Sequence, residues 1–118
     1  IPKDRACHLT PTVRKVSKAA SEIIPVIVVS NLRNTVKMLQ RNFIEIYACT
    51  GQADLSFFEV DFKGSKALIF GSEDKGIQKF LANEANEKIK IPIDSRLESL
   101  NVSNATSVIL FEAKRQRN

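Results

Sequence analysis

Residues 89–112, IKIPIDSRLESLNVSNATSVILFE, constrain the fold more than any other stretch of the chain. Ile89, Ile91 and Ile93 form a short apolar strand whose length Pro92 limits. A polar turn bearing Ser and Asn follows over residues 95–101, and a helix begins near Val102. Open α/β sheets bind ligands where a strand ends in a polar loop at a helix N-terminus, because unpaired backbone N–H groups gather there. The pattern therefore predicts a ligand loop and, by itself, nothing narrower.

The rest of the chain supplies the layers such a loop needs. Thr10 is placed as an N-cap with Pro11 at the first helical position, and the spacing of Val13, Val16 and Ala20 predicts one apolar helix face over residues 10–20. Residues 26–29 (VIVV) are a β-branched run expected to form a central parallel strand covered on both faces. Asn31 is expected to cap a helix reaching Arg41, with Leu32, Val36 and Leu39 inward. Residues 43–48 (FIEIYA) and 66–70 (KALIF) read as strands and 77–84 as a short helix. Residues 53–64, with Phe57, Phe58 and Phe62, read as a connection holding a short helical or extended piece. Apolar strands with amphipathic helices between them predict an α/β domain over residues 1–118, a mostly parallel sheet flanked by helices.

At 118 residues with 43% hydrophobic content, the chain is long enough for one real core. No apolar run approaches a membrane span and no lipidation motif is present, so cytoplasmic residence is expected. Cys7, Cys49 and the single histidine, His8, have no metal-ligand spacing, and no metal is expected. The net charge of +5 suits a polyanionic partner without requiring one.

Two motifs then narrow the reading. SLNVSNAT, preceded by IPI and followed by an aliphatic helix, resembles motif three of the SpoU/TrmH family of RNA 2′-O-methyltransferases. ALIFGSEDKGI, residues 67–77, resembles motif two of that family at the expected distance upstream. The similarity extends over nearly the whole chain and is strongest to the branch that methylates a guanosine of 23S ribosomal RNA. It implies a deep trefoil knot at the C-terminus, which periodicity could not reveal and which base rates oppose. It also implies that the opening IPKDRACHL follows a missing motif-one unit, whose Asn and Arg would serve the chemistry; Arg5 is not that Arg. More chain is thus expected before Ile1, including an RNA-binding domain.

Three loops are expected to converge at strand ends: residues 49–52, 71–76 and 95–101. Gly71 follows an apolar strand, where a missing Cβ would let a ligand approach the backbone; Gly76 sits at the entry to a helix. For the bare glycine pair, shaping a turn is the plainer reading. The resemblance implies S-adenosylmethionine bound in a bent form by Gly71, Ile91 and Leu100, with Thr50, Gly51, Gly76 and Asn101 contributing. It further implies an active-site location for Glu73, Ser99 and Asn101, although Asn101 also suits a plain N-cap. The implied reaction is methyl transfer to a ribose 2′-hydroxyl. Two positions depart from the family pattern: Ala19 stands where glycine is usual, leaving less room where that helix meets RNA or a partner, and Asn104 replaces an aliphatic residue.

RNA, ribosomal or transfer, is the expected partner. Lys3, Arg5, His8, Arg14, Lys15 and Lys18 could contact phosphates, or could equally be a solvated helix face. Lys114, Arg115 and Arg117 end the last helix, favour its dipole and could also touch RNA. Val102, Ala105, Ile109, Leu110 and Ala113 give that helix more apolar surface than a small sheet requires, and the resemblance implies a homodimer formed through it. Two readings from other classes compete: a non-catalytic RNA-binding module, and a nucleotide-binding enzyme using GSEDKG as a phosphate loop. The latter lacks the Walker spacing.

Overall fold

A computed structural model describes residues 1–118 apart from Arg5, Cys7 and Glu73, and the chain divides into two compact units, Ile1–Thr35 and Val36–Asn118. In the first, Thr10 Oγ1 accepts the Val13 N–H at 3.1 Å, and Pro11 opens helix α1, Pro11–Val16. The expected single helix over residues 10–20 is broken. Lys18 and Ala19 take φ of 51° and 64°, and α2, Ala20–Ile23, restarts after them. Left-handed backbone costs a non-glycine residue roughly 1–2 kcal/mol, which is the physical content of a glycine at position 19. Val16, expected inward, is 76% exposed.

Residues 26–29 are not the expected central strand. They form only one isolated parallel bridge, Pro2 to Val29, with Val29 N–H donating to Ile1 O at 2.9 Å and Lys3 N–H to Val29 O at 2.7 Å. Val26, Ile27 and Val28 are exposed. A β-branched run fixes an extended backbone; it does not supply neighbours to cover it.

Helix α3, Leu32–Arg41, starts as expected, with Asn31 Oδ1 accepting the Asn34 N–H at 3.0 Å and Val36 buried. It ends in a Schellman motif: Phe43 N–H donates to Gln40 O at 3.0 Å and Ile44 N–H to Leu39 O at 3.1 Å. Phe43 itself lies at φ 61°, so β1, Glu45–Cys49, begins two residues later than the apolar run suggested. The connection over 53–64 contains both pieces foreseen as alternatives, a short strand β2, Leu55–Ser56, and a 3₁₀ turn, Phe57–Glu59. Then come β3, Lys66–Phe70, α4, Lys79–Glu84, β4, Glu87–Lys90, and α5, Val102–Arg117.

The sheet order is β2-β4-β1-β3, with every pairing parallel. Cys49 at the end of β1 is level with Phe70 of β3 and Ile89 of β4, so the loops that follow leave from one edge. β1 occupies the covered position assigned in sequence to 26–29: Ile46, Tyr47 and Ala48 are all buried, so neither face is open. β4 pairs earlier than expected. Asn86 N–H donates to Ile46 O at 2.9 Å while its Oδ1 accepts the Ile46 N–H at 2.8 Å, drawing the pairing back toward residue 86.

Tyr47, Ile89 and Ile109 form one core cluster with Phe57, Val60 and Phe62. The far end of α5 is fastened to the 60–64 segment. Gln116 accepts the Phe62 N–H at 2.7 Å and donates to Val60 O at 3.0 Å; Arg117 donates to Phe62 O and Gly64 O at 2.9 and 2.7 Å. Arg117 therefore also serves the fold, and Arg115 is forked onto Glu112 at 2.8 Å.

Candidate functional site

Parallel strands of nearly equal height send their loops out together, and here those loops enclose a cavity of about 180 Å³ within the second unit. Cys49, Thr50 and Gly51 line it after β1, and Phe70, Gly71, Ser72, Gly76 and Ile77 after β3. Ile91, Ile93, Ser99 and Leu100 follow from β4, and Val102, Ala105 and Ile109 of α5 close the side. The volume lies below the roughly 300–1,000 Å³ of sites that engulf a whole drug-sized ligand.

Each loop is held by its own bonds. Thr50 N–H donates to Ile89 O at 2.9 Å, tying the first loop to β4, and Ala53 N–H returns to Thr50 O at 3.2 Å. In the second, Gly76 N–H donates to Ser72 O at 2.8 Å and Lys75 N–H to Ser72 Oγ at 3.2 Å. This loop doubles back so tightly that a Cβ on Gly71 would lie 2.1 Å from Gly76 C and 2.3 Å from Ile77 N. The missing side chain at Gly71 thus makes room for the chain's own backbone, not only for a ligand. Gly76 sits at φ 63°, where glycine alone is unstrained.

The third loop is braced from within. Asp94 Oδ1 accepts the Arg96 N–H at 2.9 Å, and the Arg96 guanidinium forks onto the same carboxylate at 2.8 and 2.7 Å. Those side-chain bonds first, and the backbone bond second, hold the Asp94 carboxyl down at about 2. Glu98 O passes 3.9 Å from where a Gly51 Cβ would stand, so the first and third loops meet at the mouth.

Of the cofactor positions expected from sequence, Thr50, Gly51, Gly71, Gly76, Ile91 and Leu100 line the cavity. Ser99 lines it as well. Asn101 caps α5, its Oδ1 accepting the Ser103 N–H at 2.9 Å, a role compatible with the active-site location expected for it. Glu73 lies outside the described residues, as do the Arg5 and Cys7 of the sequence reading. Cys49, Phe70, Ser72, Ile77, Ile89, Ile93, Val102, Ala105 and Ile109 line the cavity too and are not among the positions expected from sequence. A signal for the last three is present in the sequence: their i, i+3, i+7 spacing marks one helix face.

Cys49 is the one titratable group among the described lining residues, and burial pushes its thiol up to about 12. It is a wall, not a nucleophile or base at neutral pH. Away from the cavity, Tyr47 Oη donates to Glu45 at 2.8 Å, and Lys66 Nζ reaches the same oxygen at 2.7 Å. The bond from Lys66, then that from Tyr47, lowers the Glu45 carboxyl. Among the described residues no group of three His, Cys, Asp or Glu side chains could hold a metal ion.

The SpoU rRNA Methylase family matches residues 1–111. The chain belongs to this family. It is 41% identical over 99% of its length to the 23S rRNA (guanosine-2'-O-)-methyltransferase RlmB of Xanthomonas axonopodis pv. citri, and 43% identical to that of Pectobacterium atrosepticum. It spans about half of these relatives, 47% and 48% of their lengths. The fold superposes on the SpoU methyltransferase AviRb from Streptomyces viridochromogenes, solved with AdoMet, with a TM-score of 0.90 at 23% identity. That alignment covers 99% of this chain and 48% of the other. The A. aeolicus TrmH/SpoU tRNA modifying enzyme gives 0.80 at 29% identity, over 88% of this chain and 53% of its own.

Proposed function

We propose that this chain is the cofactor-binding part of an RNA methyltransferase that moves a methyl group from S-adenosylmethionine to a ribose 2′-hydroxyl, on a guanosine of 23S ribosomal RNA. One observation carries the reading: the loops that bear motifs two and three border a single apolar cavity at the C-terminal edge of a parallel sheet. Relatives alike over 99% of the chain bear that activity in their names.

The donor would rest its adenine against Ile91 and Leu100, with Gly71 and the Thr50–Gly51 turn beside it. Bound there, it supplies an activated methyl on a positively charged sulfur. The chain's own part is alignment: the three braced loops fix methyl and sulfur so that the incoming hydroxyl attacks in line. Ser99, at the mouth, and Glu73 are suited to orient the ribose. The described lining residues name no base for the hydroxyl proton; the family resemblance assigns that step to a motif-one arginine.

Three finer features belong to this reading. The C-terminus forms a trefoil knot, supported by the likeness of fold to SpoU methyltransferases. Two copies pair through α5, supported by exposed Val108, Leu110 and Phe111 on that helix. The enzyme works in the cytoplasm on RNA, with Lys3, Arg14, Lys15 and Lys18 offering phosphate contacts.

Titration calorimetry of the 118-residue chain with S-adenosylmethionine, followed by mass mapping of 2′-O-methylguanosine in 23S rRNA from cells with and without the gene, tests the proposal. Saturable binding and one lost modification are expected. A modification lost from transfer RNA instead would move the substrate. No donor binding would favour a non-catalytic RNA module.

A further inference from the structure

Phe43 holds a place that its own fold does not reward. In the Schellman turn closing α3 it is the residue at φ 61°, where glycine is unstrained and a bulky side chain is not. Its exposure is 92%, the highest of any large hydrophobic among the described residues, while the next residue, Ile44, is half-buried. Backbone strain of this kind clusters where a chain meets a ligand. An aromatic ring held under strain and left in water therefore points to a contact outside the chain.

The charge beside it says which kind. From Val36 to Ile44 the sequence has no Asp or Glu. Lys37 and Arg41 stand one helical turn apart, both exposed and, among the described residues, in no ion pair. Glu45, the next acid along the chain, is matched by Lys66 Nζ at 2.7 Å. Resting on the RNA substrate proposed above, we infer that the C-terminal end of α3 is a second RNA contact, where Phe43 stacks on an unpaired nucleobase and Lys37 and Arg41 take flanking phosphates. A duplex hides its base faces, so the strand bound here is single. Phe43 precedes β1 and the cavity follows it, which puts about 17 Å of strand between them. The site therefore anchors RNA at the opposite edge of the sheet and takes no part in the chemistry.

Fluorescence anisotropy of the 118-residue chain with a short labelled single-stranded oligoadenylate tests this, with inorganic polyphosphate as a polyanion that has no bases. Phe43→Leu, which keeps bulk and strain but loses the ring, should weaken oligoadenylate binding about fivefold or more and leave polyphosphate binding unchanged; Phe43→Tyr should bind as the unaltered chain does. Lys37→Gln with Arg41→Gln should weaken both probes and lower the salt slope for oligoadenylate by about 1.4, roughly 0.7 per phosphate. Phe43→Gly should raise the melting temperature while losing oligoadenylate, opposite movements that a purely structural role would not give. Absence of oligoadenylate binding by the unaltered chain overturns the inference, as does a Phe43→Leu affinity within twofold of it. Loss of self-association in Phe43→Leu with RNA affinity intact would assign the ring to a protein contact and overturn it too. S-adenosylmethionine should bind all these variants equally; its failure to bind the unaltered chain strikes the methyl-donor reading instead.

Discussion

Replacing Gln116 with leucine should destabilise the second unit by about 2–3 kcal/mol. Gln116 serves two backbone groups, accepting the Phe62 N–H at 2.7 Å and donating to Val60 O at 3.0 Å. Phe62 is 1% exposed and Val60 5%, so water cannot readily take over. A buried donor left unmade costs roughly 1–3 kcal/mol. The Val60 carbonyl, with two lone pairs, tolerates the loss better and adds about 0.5–1 kcal/mol. Leucine matches glutamine in helix propensity, so the helix itself is not the cause of any change. In urea, with a slope of roughly 1–1.5 kcal/mol per molar, the midpoint should fall by about 2 M at unchanged slope. Gln116→Glu keeps the acceptor but at pH 7 sets a carboxylate against Val60 O and against Glu112 Oε1, which accepts from Gln116 Nε2 at 2.9 Å. The neighbouring Glu112 carboxylate and the Val60 carbonyl both raise its carboxyl pKa, so the deficit should shrink as pH falls below about 5 and the acid regains a donor. A midpoint shift in Gln116→Leu equivalent to under 0.5 kcal/mol would refute the claim that this side chain fastens α5 to the 60–64 segment.

Three further outcomes are expected. Gly71→Ala should weaken cofactor binding at least tenfold by calorimetry, because its Cβ would meet Gly76 C at 2.1 Å. Gly51→Ala, whose nearest neighbour is Glu98 O at 3.9 Å, should change the protein's own melting little, and equal behaviour of the two variants would contradict the loop geometry. Ala19→Gly should stabilise the first unit by about 0.5–1 kcal/mol, since Ala19 sits at φ 64°; slower amide exchange across α1 and α2 checks it. Burial raises the Cys49 thiol from its usual 9.0 to about 12. Between those values the unfolded chain has released a proton that the folded chain retains, so stability is whole below pH 9 and falls as pH rises, by up to about 1.4 kcal/mol per unit. Tyr47, raised by burial and then by its bond to Glu45, adds to the decline between pH 10 and 12. Cys49→Ala should flatten the melting curve against pH from 9 to 10 and leave the Tyr47 portion; an unchanged slope would contradict the assignment.

What sequence could and could not reveal follows from the range of each interaction. KALIF is β3 residue for residue, and Asn101 opens α5 where its capping chemistry said it would, because both depend on neighbours a few positions away. Residues 26–29 misled for the complementary reason. Extended backbone is a local preference, but burial needs partners on both sides, and the positions that won them were Ile46, Tyr47 and Ala48. β4 shifted because Asn86 imitates a backbone pair with Ile46, a contact forty residues away that no periodicity encodes. The cavity was half legible on the same terms. Gly71 and Leu100 stood out through motifs, whereas Val102, Ala105 and Ile109 read as surplus apolar surface awaiting another subunit. Their role depends on where the strand ends lie, and the level register of Cys49, Phe70 and Ile89 is what turns that helix face into a wall. Gln116 shows the limit most clearly: a polar residue near a helix end reads as solvent-facing until the chain that needs its oxygen is seen to pass beside it.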